Sequence, residues 1–140
     1  SGRLVIAVVP AFSVGDTLRT LVDTVEPHQQ APTRQLLSRV LRGVVCLRLV
    51  ARADGRGRAA IVEALVGTAK VAEAVRDNAE DAALERLMAD GDYHGMATFD
   101  QALFRLFSED VVSLDEALEQ AVYPEDLRIA VQRAGISALR

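Results

Sequence analysis

The 140-residue sequence predicts an α/β chain, with a strand-bearing first half followed by a bundle of short helices. Three observations carry that reading. Leu4–Val9, "LVIAVV", is a continuous apolar run rich in β-branched residues, the pattern of a strand buried on both faces of a parallel sheet. Two further apolar runs flank Asp54-Gly55, a hairpin turn dipeptide. Beyond Thr68 the apolar residues recur at helical spacing between capping signals.

Taken in order, Pro10 stops the first run. From Val14 onward Leu18, Leu21, Val22 and Val25 keep helical spacing, and "EPHQQAP" (26–32) then breaks the chain, leaving His28 in a loop. Leu36, Leu37, Val40, Leu41, Val44 and Val45 read as a second amphipathic helix, with Arg34, Arg39 and Arg42 off the stripe. "VVCLRLVA" (44–51) drifts towards strand. After the Asp54-Gly55 turn, Gly57 adds a second position tolerant of positive φ. "AAIVEALV" (59–66) follows as a strand candidate, although its alanines leave helix open; strand–turn–strand is the favoured local reading.

The second half reads as four or five short helices. Leu84, Leu87 and Met88 form a stripe that Gly91 is expected to end as a C-terminal stop. Thr98 and Gln101 have the spacing of a capping box, ahead of the apolar face Phe99, Ala102, Leu103, Leu106 and Phe107. Ser113 and Glu116 repeat that spacing ahead of Leu114, Ala117, Leu118, Ala121 and Val122. Pro124 opens a last helix in its first turn, where a missing N–H costs nothing.

Half the residues are hydrophobic and 26% are charged, a globular composition. The lone Cys46 cannot form an internal disulfide, which points to a reducing compartment. There is no apolar span near the length of a membrane helix and no signal peptide. The chain opens without Met inside a strand-like run, which suggests a piece of a longer protein. Its net charge of -4 hides a split. Residues 1–58 carry nine Arg against four acids, and residues 59–140 carry seven bases against sixteen acids. The two regions are either ordinary solvated faces or surfaces of opposite sign that meet, within one chain or between neighbours. With no dense basic run, nucleic acid is a poor partner.

The "ADGRGR" segment (53–58) is glycine-rich but is not a P-loop: its glycines are two apart and no Lys-Ser/Thr follows. It reads as a hairpin tip from which Arg56 and Arg58 can reach a phosphate or a neighbour's carboxylate. Asp90, Asp92 and His94 invite a metal reading, yet the spacing matches neither an EF-hand nor a zinc site, and a polar loop is the simpler account. No nucleophile elbow, zinc-protease helix or dinucleotide fingerprint is present.

Four segments carry a resemblance to the C-terminal part of the PilT-like pilus-retraction ATPases of the type II/IV secretion superfamily. "RLVIAVVPAFSVGDTLRTLVDTVEP" resembles that family's strand, histidine box and following helix. "VLRGVVCLRLVARADGRGRAAIVEALVGT" is similar to its "LRGVVSQRLLPRADGRGRVAAVEVLLGTP". "LMADGDYHGMATFDQAL" resembles its G-M-x-T-M-D-Q-A-L segment, and "SLDEALEQAVYPEDL" its closing S-x-E-E-A-L-x-x-A-x-x-P-E-x-L. The resemblance implies a hexameric ring of motor ATPases that couples ATP hydrolysis to pilus disassembly in twitching motility. Such a ring is cytoplasmic, peripheral to the inner membrane, and works with the pilus machinery there. Residues 1–67 become the last strands and helices of a RecA-like P-loop core, and residues 68–140 an appended helical subdomain.

In that family the P-loop, the acidic boxes that hold Mg²⁺ and the cross-subunit arginines lie upstream of the matched region. The resemblance therefore implies ATP and Mg²⁺ for the full-length protein, but no catalytic, cofactor or metal residue within this chain and no ATPase from it alone. Two departures stand out. The histidine box falls on Pro10, Ala11 and Phe12, which offer no side-chain donor to a γ-phosphate. The retraction motif A-I-R-N-L-I-R-E aligns with Lys70–Asp77: Val71, Val75, Arg76 and Asp77 keep its character, while Ala72, Glu73 and Ala74 lose its centre. These departures leave open a degenerate, non-catalytic regulatory or scaffolding subunit, and more remotely a stand-alone helical interaction module.

Overall fold

The computed structural model describes residues 2–136. The element order is α1 (Val14–Asp23), α2 (Pro27–Val40), β1 (Gly43–Ala51), β2 (Arg58–Val66), α3 (Ala69–Arg76), α4 (Asp81–Ala89), a 3-10 turn (Asp92–His94), α5 (Phe99–Ser108), α6 (Leu114–Gln120) and α7 (Pro124–Arg133). The α/β class and the helical second half are as expected.

The sheet is an antiparallel hairpin in which Cys46 pairs with Glu63 and Arg48 with Ile61. In the loop, Gly55 and Gly57 take φ of 69° and 93°, the left-handed values that the Asp54-Gly55 reading requires. Alternation along the strands gives two unlike faces. Cys46, Val50, Ile61, Glu63 and Leu65 turn inward onto α1 and α5, whereas Val45, Leu47, Leu49 and Val62 face solvent.

Leu4–Val9 departs from expectation. It forms no strand, and Ile6 and Val8 are 87% and 99% exposed. A β-branched run becomes a strand only with a neighbouring backbone to complete its ladder. Here β1 and β2 pair with each other, and no described strand takes up the run.

The "EPHQQAP" segment does not break the chain either. Pro27 sits in the first turn of α2, where its missing N–H is harmless, and the helix runs on through Pro32. His28 is accordingly helical, not a loop residue. The helix ends at Val40, because Gly43 starts the hairpin, so Val44 and Val45 belong to β1. Of the expected stripe, Leu37 and Leu41 pack on the core while Leu36 and Val40 remain exposed.

One contiguous core joins both halves: Val14 and Leu18 from α1, Ile61 and Leu65 from β2, Val71 and Val75 from α3, and Phe99, Leu103 and Phe107 from α5 are in the same cluster. The Thr98–Gln101 capping box is complete in both directions, and Pro124 stands in the first turn of α7. The second box is only half made. Ser113 caps Glu116, but the Glu116 carboxylate reaches away to the Ala51 amide at 2.9 Å, closing the end of β1. α6 also stops at Gln120, short of Val122.

Two glycines are needed for space. Gly91 does not end α4 by a left-handed turn; its φ is -95°, and a Cβ there would meet the Leu87 carbonyl at 2.8 Å and the Met96 side chain. At Gly67 a Cβ would run into the Leu41 carbonyl oxygen, where the Gly67 amide donates to the Arg42 carbonyl at 2.9 Å and locks α2 to the end of β2. Backbone cannot give way there as a side chain can. Gly67→Ala is therefore expected to lower stability by about 1–3 kcal/mol, read as a drop in the urea midpoint at unchanged slope.

Candidate functional site

The densest polar junction lies where β2 meets the first turns of α1 and α5. Helix N-termini leave amides without intrahelical partners, and here a strand side chain supplies them. Glu63, 2% exposed, accepts the Val14 amide at 2.9 Å through Oε1 and faces the Phe99 amide. Val14 and Phe99 are the first residues of α1 and α5, so the carboxylate caps the start of α1 and stands beside the start of α5. Burial pushes the Glu63 carboxyl up, and the two amides and the Arg48 charge pull it back.

Arg48 completes the junction from β1. Its guanidinium stacks over the Phe99 ring, 4.3 Å from the centroid, and donates to the Phe12 carbonyl from Nη2 at 2.9 Å and Nε at 3.2 Å. The Phe12 amide donates to Asp16 Oδ2 at 2.8 Å. Below, Thr17 Oγ1 donates to the Ser13 carbonyl at 2.8 Å and lies 3.7 Å from Cys46 Sγ. Burial pushes the Cys46 thiol up, which leaves it a packed group and not a nucleophile.

Phe12 at this junction is one of the positions that the resemblance aligns with the histidine box, and those positions do not fit a triphosphate. Pro10, Ala11 and Phe12 bring no side-chain donor, and both polar backbone groups of Phe12 are already engaged. Among the described residues no three His, Cys, Asp or Glu side chains gather as a metal set; His94 is exposed, with its ring edge-on to Tyr93. Arg56 and Arg58 lie apart from the junction, exposed on the loop and at the start of β2. The residues that the resemblance aligns with the retraction motif lie in α3 and its cap. Val71 and Val75 enter the core, Ala72 and Ala74 are half-buried, and Glu73, Arg76 and Asp77 face solvent, with Arg76 Nε 3.0 Å from Asp77 Oδ1.

A second polar feature was not anticipated. Asp100 accepts the Val122 and Tyr123 amides at 2.7 and 2.8 Å, pinning the α6–α7 link to α5. Beside it Glu85, half-buried on α4, lines a groove of about 390 Å³ with Phe104, Tyr123, Asp126, Leu127 and Ala130. Burial raises its carboxyl to about 7, the charges of Glu63, Asp100 and Asp81 adding to the rise and Arg48 opposing it. The only sequence signal for Glu63 is an acid in the middle of an apolar strand; for Glu85 and Asp100 there is none, since each sits on an ordinary amphipathic helix.

Over nearly its whole length the chain is similar to part of the type IV pilus ATPases. Among individual proteins, it is 30% identical over 132 residues to the type IV pilus ATPase PilU of Pseudomonas aeruginosa, covering 94% of this chain and 34% of the relative. It is 29% identical over 126 residues to the retraction ATPase PilT of the same organism, covering 90% and 36%. The crystal structure of the pilus retraction motor PilT with bound ADP superposes at a TM-score of 0.68 with 26% identity, over 86% of this chain and 33% of that one. The chain thus spans about a third of the length of the relatives it matches. No family model matches it.

Glu85 makes stability depend on pH in a definite sense. A carboxyl raised from 4.5 to about 7 holds a proton in the folded state that the unfolded chain has released. That contribution is full below about pH 4.5 and is lost as pH rises through 7. Glu85→Gln is expected to stabilise the chain at pH 8 by about 1–2 kcal/mol, less than the whole shift implies because the group keeps some contact with water. Near pH 4.5 the substitution should change little. Urea melts at the two pH values check this.

Proposed function

We propose that the chain acts as the C-terminal part of a hexameric type IV pilus retraction motor of twitching motility, which couples ATP hydrolysis to pilus disassembly. The observation that carries this reading is the likeness to PilT and PilU, in sequence over at least 90% of the chain and in fold at a TM-score of 0.68. On this reading residues 1–67 belong to a RecA-like core and residues 68–140 form a helical subdomain appended to it.

Two exposed apolar surfaces support a larger assembly around this chain. Leu4, Val5, Ile6 and Val8 are unpaired, and the outer face of the hairpin shows Val45, Leu47 and Leu49 to solvent. Contiguous apolar surface of this kind is uncommon on an isolated domain. The rest of a RecA-like sheet would take up the first as an inner strand and cover the second. ATP and Mg²⁺ are assigned to that remainder, and the motor works at the cytoplasmic face of the inner membrane. No described helix is long and apolar enough to cross a membrane. The solvent-facing Glu73, Arg76 and Asp77 of α3 stand where the retraction motif would act.

A degenerate, non-catalytic subunit is the second reading, favoured by Pro10, Ala11 and the fully engaged Phe12 backbone at the histidine box. Purification of the native gene product separates the two. The motor reading expects a polypeptide about three times this length that forms hexamers and hydrolyses ATP, while the 140-residue chain alone does not. A hexamer without ATPase activity supports the scaffold, and a native product no longer than this chain contradicts both.

A further inference from the structure

The hairpin tip and the α4–α5–α7 groove have complementary charge. Arg56 and Arg58 are exposed, and neither makes an ion pair within the described residues. A side chain built at Gly55 or Gly57 would meet nothing within 4 Å, so the tip stands clear of the body. Its single carboxylate is already occupied: Asp54 pairs with Arg52 at 2.8 Å and accepts the Arg56 amide at 2.9 Å. The groove has the opposite character. Glu85 and Asp126 line it beside the apolar Phe104, Leu127 and Ala130, the Asp100 oxygens are taken by the Val122 and Tyr123 amides, and no Lys or Arg lines it.

We propose that this groove receives the hairpin tip of a second copy of the chain, with Arg56 and Arg58 entering beside Glu85 and Asp126. Arginine suits such a lining because its methylene stem can lie on apolar surface while its guanidinium meets carboxylates at the rim. A copy's own tip is held elsewhere. The Ala53 amide fixes it to the Val111 carbonyl at 2.9 Å, beyond the C-terminal end of α5, whereas the groove opens along the first half of that helix. From Phe104, the last lining residue on α5, the helix runs on to Ser108, about 6 Å, before the turn that carries Val111. Tip and groove are different surfaces, so the contact is head-to-tail, the kind that closes rings. The inference deepens the assembly part of the proposed function by naming the surfaces that meet; it does not depend on ATP hydrolysis.

The test is a charge exchange on the 140-residue chain, followed by sedimentation velocity at low and high salt. The unmodified chain is expected to associate at low salt and to dissociate as salt screens the contact. Arg56→Glu with Arg58→Glu should weaken association about tenfold or more, and so should Asp126→Arg. An equimolar mixture of the two variants should recover it, because an acidic tip then meets a basic groove. Thermal melts control for folding; if Asp126→Arg melts early, Asp126→Asn should still weaken association. A chain that stays monomeric at low salt, association indifferent to these changes, or a mixture that fails to recover would each overturn the proposal. Recovery together with an ATPase-inactive native protein would sink the motor reading and leave this one standing.

Discussion

The structure depends on where the Glu63 carboxylate sits. A buried carboxylate costs several kcal/mol in lost hydration unless it is paired or well hydrogen-bonded. Glu63 offsets part of that cost by taking the first amide of α1 and standing at the start of α5, N-terminal ends that favour negative charge. Arg48 adds a positive charge from the neighbouring strand and stacks on Phe99, the residue after the α5 cap. Glu63 and Arg48 together therefore fix the hairpin to both halves of the chain. Val14 and Phe99 on either side of it are fully buried, so the polar tie and the apolar core are laid down together.

This arrangement explains why the two ends of the chain behave differently. From Phe12 onward the chain is anchored: Arg48 takes the Phe12 carbonyl, and α1, α3 and α5 share one core with the inner face of β1 and β2. Ahead of that anchor, Leu4 to Val8 have no partner and lie open. The outer face of the hairpin is just as bare. In the motor reading these surfaces are where the remaining sheet would join, and Arg48 and Glu63 would then link the box position to the helical half.

Much of the fold could be read from local chemistry. The Thr98–Gln101 box, Pro124 in the first turn of α7 and the Asp54-Gly55 hairpin are short-range signals, and each formed as its residues dictate. The misreadings share a different cause: a tertiary partner decided the outcome. "LVIAVV" has strand composition but no neighbour, and α2 runs through Pro32 because its first turn absorbs Pro27 and its Leu37 side packs against the core. Glu116 has capping-box spacing, yet the open end of β1 competes for it. The junction itself was almost invisible. Glu63, Arg48 and Phe99 are far apart in sequence, and only the family resemblance drew attention to the box they support.

Amide hydrogen exchange at Val14 and Phe99 tests most directly whether the Glu63 carboxylate, bonded to the start of α1 and facing the start of α5, secures both helices. First-turn amides of an untied helix exchange by fraying. Here both should be among the slowest in the chain, and Glu63→Gln should accelerate the two together. Rapid exchange at either amide, or exchange that the substitution leaves unchanged, would contradict the account.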